Sequence, residues 1–101
     1  MINLITGYNN TGKTTWIDKE TDNVIRPVRY TYPENDLHPS LHSKIIEDVI
    51  ELQNNNFNIY IETHSEHILN AIRIAVAEQR LNVSNVNILF FFKLDIYVKK
   101  N

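Results

Sequence analysis

The stretch GYNNTGKT occupies residues 7–14 and directly follows the apolar run INLI at residues 2–5. It fits the pattern G-x-x-x-x-G-K-[ST] of a phosphate-binding loop, and the apolar run predicts a buried strand before it. Glycine occurs only twice in the chain, and both copies stand where the pattern needs a residue without a Cβ. We therefore expect a strand, a phosphate-binding loop and a helix. The alternative is a plain strand–turn–helix unit without a ligand.

The loop pattern assigns roles to its lysine and to the threonine that follows it. Lys13 should reach the β and γ phosphates of a bound nucleoside triphosphate, and the hydroxyl of Thr14 should ligate Mg²⁺. A first helix, from residue 13 to about residue 22, would point its N-terminal N–H groups at the phosphates. The predicted phosphate cradle consists of Gly7, Asn9, Asn10, Thr11, Gly12, Lys13, Thr14 and Thr15.

Length and composition restrict the class of protein. The 101 residues suffice for one domain with one core, and 43% hydrophobic and 22% charged residues are ordinary for a soluble globular protein. The absence of cysteine excludes disulfides and thiolate sites, and with no apolar stretch of membrane-spanning length we expect a cytoplasmic protein. The net charge is −2 and the basic residues are scattered, so no nucleic-acid-binding face is expected.

Hydrophobic periodicity predicts alternating strands and helices after the loop. Residues 24–32 are β-branched and aromatic, and Pro27 among them favours a strand at the edge of a sheet. Residues 40–53 carry apolar side chains at helical spacing and predict a second helix. Residues 57–62 predict the next strand, and a third helix should run to about Leu81.

The last apolar segment completes an α/β pattern. Residues 86–92 show hardly any alternation, which is typical of a parallel strand covered on both faces, and residues 95–99 would add a short terminal strand. We therefore expect a three-layer core with a mostly parallel sheet of four to five strands and three helices. In such sheets ligands bind at the carboxyl ends of the strands, where the loop lies.

Hydrolysis of a triphosphate would need a carboxylate for the metal and a group that positions the attacking water. The candidates are Glu34, Asp36, Glu62 and His64. Thr63 and Glu66 have capping-box spacing, which would place His64 in the first turn of the third helix for structural reasons alone. Glu34 lies in a proline-flanked turn, where acidic residues are usually solvated. Both functional assignments therefore have a structural alternative.

Four segments match a known pattern in order along the chain. They are ITGYNNTGKTT at residues 5–15, PENDLHPSL at residues 33–41, IYIETHSEHIL at residues 59–69 and ILFFFK at residues 88–93. Together they resemble the ABC-type AAA ATPases related to RecF, SMC proteins and the OLD-family nucleases, a family with small bacterial and phage members. In that family these segments are the Walker A loop, the end of Walker B, the switch-histidine segment and the strand after it.

The resemblance implies a P-loop NTPase-like fold that binds ATP, or less readily GTP, together with Mg²⁺. It implies that His64 faces the γ phosphate and that Glu34 matches an acidic position of the family. It also implies a strand order. The strand before His64 should lie between the P-loop strand and the strand at residues 24–32, and the strand at residues 86–92 should lie on the other side of the P-loop strand.

The chain departs from the family at two points. The family's Walker B strand ends in two acidic residues just before the proline, where this chain has Thr31 and Tyr32. Glu34 could replace them only if the turn folds back towards the metal. The short connection after the first helix also leaves no room for the family's antiparallel subdomain or its serine-glycine signature.

These departures predict nucleotide binding with weak or absent hydrolysis. An alternative is a truncated homologue that acts through protein contacts, as a homo-oligomer or as a partner, decoy or regulator of a larger ATPase.

Overall fold

The computed structural model describes residues 1–7, 13–35 and 42–91. These residues form a small α/β domain with a four-stranded, all-parallel sheet and three α-helices. The strands are β1 (Ile2–Gly7), β2 (Pro27–Thr31), β3 (Asn58–Glu62) and β4 (Val86–Phe91). The helices are α1 (Lys13–Thr21), α2 (His42–Asn54) and α3 (Glu66–Ala77). Two short 3-10 turns, Pro33–Asn35 and Val83–Asn85, follow β2 and precede β4.

The strands lie in the order β2-β3-β1-β4, which is the order that the resemblance implies. β2 is at one edge, as Pro27 predicts. In the register of the ladders, Glu62 at the end of β3 lies opposite Ile5 of β1 and Thr31 of β2. The carboxyl ends of these three parallel strands therefore lie side by side at the same end of the sheet, and the residues that follow them are close in space.

Helices cover both faces of the sheet. The larger apolar cluster packs α2 and α3 against β1 and β3, and its members with no exposed surface are Ile2, Leu4, Val49, Ile59, Ile61 and Ile68. The smaller cluster packs Ile17 of α1 against Ile5 and Tyr60 on the opposite face, with Trp16 and Phe91 at its margin. Neighbours along a strand point to opposite faces, so β1 and β3 contribute to both clusters. This arrangement is compatible with a three-layer α/β fold.

Several predicted boundaries are wrong. β2 begins at Pro27 rather than residue 24, because Arg26 has a left-handed backbone with φ 54°. α3 ends at Ala77 rather than near Leu81, because Gln79 is left-handed with φ 62° and the chain turns there. Residues 36–41, Phe92 and the predicted strand at residues 95–99 lie outside the described residues. None of the described helices is long and apolar enough to cross a membrane.

The prediction that the last strand is covered on both faces is also wrong for β4. Among the described strands β4 is at the end of the sheet, and Ile88 and Phe90 remain 47% and 57% exposed. An edge strand has a sheet neighbour on one side only, and α2 and α3 pack mainly over β1 and β3. A nearly continuous apolar run thus does not guarantee burial on both faces.

Candidate functional site

Both ends of the predicted phosphate-binding loop are described. β1 ends at Gly7 and α1 begins at Lys13, so a buried strand leads into a helix N-terminus as expected. Thr15 is exposed in the first turn of α1. The predicted cradle residues Asn9, Asn10, Thr11 and Gly12 lie outside the described residues, as does the side chain of Thr14.

Lys13 is buried at the carboxyl edge of the sheet. Only 4% of its surface is exposed, and its Nζ donates a hydrogen bond of 2.8 Å to the carbonyl oxygen of Gly7. The same Nζ lies 5.7 Å from the centroid of the Tyr32 ring, within range of a cation–π interaction. The ammonium group is thus held at the end of β1, beside the turn that follows β2.

Gly7 has a steric reason to be glycine that does not depend on a ligand. Its φ is 129°, a conformation that residues with a Cβ rarely adopt. A Cβ built on Gly7 would also overlap the carbonyl oxygen of Phe91, its partner in β4. The first glycine of the motif therefore also allows β1 and β4 to approach closely.

The chain folds back after β2 at Tyr32. This residue is left-handed with φ 46°, its N–H donates to the carbonyl oxygen of Glu62 at 2.7 Å, and its own carbonyl accepts from the N–H of Asn35 at 3.0 Å. These bonds attach the turn at Pro33–Asn35 to the end of β3. The turn therefore lies beside the segment that follows β3.

Glu34 is held by the segment after β3. The hydroxyl of Thr63 donates to its Oε1 at 2.8 Å, and the backbone N–H of His64 donates to its Oε2 at 2.8 Å. The interpretation of Glu34 as an ordinary solvated turn residue is wrong, because both carboxylate oxygens bond to this segment. The structure thus brings Glu34 and His64 together, although 30 positions separate them in the chain.

His64 lies in the connection between β3 and α3, not in the first turn of the helix. The expected capping box is wrong because Ser65 is the N-cap: its side chain accepts from the N–H of Ile68 at 3.4 Å. Thr63 instead accepts the N–H of Ser65 on its Oγ1 at 2.9 Å. The exposed His64 ring stacks on Tyr32, with centroids 4.7 Å apart and planes inclined by 25°.

Glu62 places a buried carboxylate next to the same tyrosine. It is 2% exposed, and its side chain hydrogen-bonds that of Tyr32. Burial and the negative charges of Glu62 and Glu34 raise the pKa of Tyr32. Arg29 places its Nη2 3.9 Å from Oε1 of Glu62, and its Nη1 bonds Asp18 of α1 at 2.5 Å. Glu62 therefore lies on the face of the sheet that α1 covers.

These contacts bring together one cation, one imidazole, two carboxylates and a phenol. We refer to Lys13, Tyr32, Glu34, Glu62 and His64 as the strand-end cluster. Four of these residues were predicted from the sequence. Tyr32 was noted there only because it stands where the family that the chain resembles has an acidic residue. Its position directly before Pro33, at the end of a strand beside the loop, is the signal that could have identified it.

Comparison of the chain with protein-family models, with curated proteins and with solved structures gives no match. The functional assignment therefore depends on the residues of this chain and on their geometry.

Proposed function

We propose that this chain binds a nucleoside triphosphate, ATP in preference to GTP, together with Mg²⁺, and that it hydrolyses the nucleotide weakly or not at all. The cradle would be the loop at residues 7–14, as in the ABC-type AAA ATPases that the chain resembles. The observation that carries the proposal is the buried Lys13 at the junction of β1 and α1.

A buried ammonium favours an anionic ligand. Burial removes water from the charge, and this costs free energy unless another charge or several hydrogen bonds compensate it. Within the described part of the chain, the contacts of Lys13 Nζ are with the neutral Gly7 carbonyl and the Tyr32 ring. An ammonium has three donors, so a phosphate group could bond to Nζ in addition to the carbonyl or replace it. The N-terminus of α1 adds N–H groups and a favourable dipole at the same place.

Magnesium fits the site in part. Glu62 supplies a buried carboxylate at the end of the strand next to β1, on the face that α1 covers. Carboxylate oxygens, a threonine hydroxyl and phosphate oxygens are ligands that Mg²⁺ prefers. Thr14 and Glu62 are therefore the residues that would hold the ion, which would neutralise charge on the β and γ phosphates.

We expect weak hydrolysis because the residues at and directly after the end of β2 are not acidic. Thr31 and Tyr32 stand where the resembling family has its two principal acids, and neither can serve as a carboxylate. Glu34 would have to act on water while its two oxygens accept bonds from Thr63 and His64. We assign His64 to the contact with the terminal phosphate and Glu34 to the polarisation of water, with an efficiency limited by those bonds.

Binding of a fluorescent ATP analogue to the wild type and to Lys13→Ala tests the cradle. We expect the variant to bind at least about tenfold more weakly, since loss of one charge-assisted contact costs roughly 1.5–3 kcal/mol. Lys19→Ala is the matched control, because Lys19 is an exposed lysine on the same helix. Equal affinities of the wild type and Lys13→Ala would refute the assignment.

Steady-state phosphate release tests the level of turnover. We expect the wild type to release phosphate far more slowly than about 1 s⁻¹, the lower range of ordinary enzymes. Glu34→Gln and His64→Ala should reduce any remaining activity. A wild-type rate of about 1 s⁻¹ or more would show that the missing acids matter less than we propose.

A second candidate function is self-association through the exposed edge of the sheet. β4 carries the exposed Ile88 and Phe90, and Ile72, Val76 and Val83 border an adjacent groove of about 320 Å³. Exposed strands with apolar side chains favour pairing with another chain. Light scattering at several concentrations tests this, with Phe90→Lys as the variant that should abolish an oligomer of this chain. A wild type that stays monomeric at every concentration would exclude it.

A further inference from the structure

Tyr32 contacts three other members of the strand-end cluster, although no sequence motif assigns it a role. Its ring stacks on His64, it lies 5.7 Å from Lys13 Nζ, and its side chain hydrogen-bonds that of Glu62. Lys13 and Glu62 are buried, whereas His64 is exposed on the connection after β3. Tyr32 is therefore the side chain through which the exposed imidazole is joined to the buried part of the cluster.

The backbone of Tyr32 is held in an unusual conformation. A φ of 46° is left-handed, which is uncommon for an aromatic residue, and a residue before proline normally adopts an extended conformation. Such a conformation is strained and persists only when neighbouring bonds maintain it. Here the N–H and the carbonyl of Tyr32 bond to Glu62 and Asn35. These bonds direct the ring towards His64 and Lys13.

The stack restricts an otherwise exposed ring. The backbone N–H of His64 donates to Glu34, and this hydrogen bond does not fix the orientation of the imidazole ring. Ring centroids 4.7 Å apart and nearly parallel planes are typical of a favourable aromatic contact. The contact with Tyr32 thus limits His64 to orientations in which its ring stays beside that of Tyr32.

The same ring also lies next to the residue that would bind the terminal phosphates. The loop pattern assigns the β and γ phosphates to Lys13, whose Nζ is within range of Tyr32. We propose that Tyr32 is a positioning residue that orients His64 towards the terminal phosphate, and that it thereby sets the preference of this site for a triphosphate over a diphosphate. This inference rests on the proposed nucleotide-binding function.

The ratio of the affinities for ATP and ADP is the measurement that tests it. A general loss of stability would weaken both nucleotides alike, whereas a change in contact with the terminal phosphate alters the ratio. We expect Tyr32→Leu to lower the preference for ATP by about two- to tenfold, the range that one aromatic contact supplies. Tyr32→Phe keeps the ring and should retain most of the preference. Tyr30→Leu removes a tyrosine of β2 that lies beside α2, and it should leave the ratio unchanged.

A double-mutant cycle distinguishes action through His64 from an independent effect. His64→Ala should lower the ratio by at least as much as Tyr32→Leu, and the double variant should equal His64→Ala alone. Independent, additive effects of the two substitutions would overturn the proposal, and so would an unchanged ratio in Tyr32→Leu. A wild type that binds neither nucleotide would instead refute the proposed function, so the two failures are distinguishable.

Discussion

Substitution of Gly7 by alanine tests whether the first glycine of the motif serves the sheet as well as the ligand. The added methyl group would overlap the carbonyl oxygen of Phe91, and it would approach two more backbone atoms of that residue closely. Backbone atoms cannot move aside as the end of a flexible side chain can. The end of the β1–β4 ladder, where Gly7 lies opposite Phe91, would have to separate.

Two costs add in this variant. A residue with a Cβ at φ 129° is strained by about 1–3 kcal/mol, and the overlap with packed backbone costs about 1–3 kcal/mol more. We therefore expect the free energy of unfolding to fall by about 2–6 kcal/mol, a large share of the 5–15 kcal/mol typical of a domain. With a denaturant slope of about 1–3 kcal/mol per molar urea, the unfolding midpoint should fall by about 0.7 M or more.

Urea unfolding monitored by Trp16 fluorescence measures this change. Trp16 is the single tryptophan, and its ring lies 5.9 Å from that of Phe91, so it reports on the disturbed end of β4. Thr6→Ala, at the preceding position of β1, is the control and should shift the midpoint much less. An unchanged midpoint in Gly7→Ala would refute the steric argument. If such a variant also failed to bind nucleotide, the glycine would serve the ligand alone.

Glu34→Ala removes two hydrogen bonds at the end of β3, so the free energy of unfolding should fall by about 1–3 kcal/mol, as measured by thermal unfolding. The backbone N–H of His64 should also exchange faster with solvent, which hydrogen exchange measures. Burial raises the pKa of Tyr60 and of Tyr32 above the ordinary 10.0. The contribution of these two tyrosines to stability is therefore fully present below pH 10.0 and is lost as the pH rises through their raised pKa values. The urea midpoint should fall as the pH rises above 10.0, and it should fall less steeply in Tyr60→Phe. Ile61 is fully buried in the larger cluster, so Ile61→Val should cost about 0.5–1.5 kcal/mol and Ile61→Ala about 2–5 kcal/mol in urea unfolding; equal values for both would contradict tight packing there.

Local pattern was sufficient to predict most of the fold. The apolar run before Gly7, the stripe of α2 and the strand before His64 depend on neighbouring residues, and the structure contains a helix or strand at each. The boundaries that were wrong lie at Arg26 and Gln79, where a left-handed residue turns the chain. Neither is a glycine, so composition carried no signal of the turn.

The candidate site was predictable only as separate residues. Sequence by itself determined that a lysine follows a buried strand at the start of a helix, and that acidic and imidazole groups follow two other strands. Only the tertiary structure decided that Glu34 bonds to Thr63 and His64, and that Tyr32 joins His64 to Lys13. The physical reason is the parallel order of the strands. It brings the ends of β1, β2 and β3 to one edge of the sheet, although long stretches of chain separate them, and periodicity along the chain contains no information about such distant contacts.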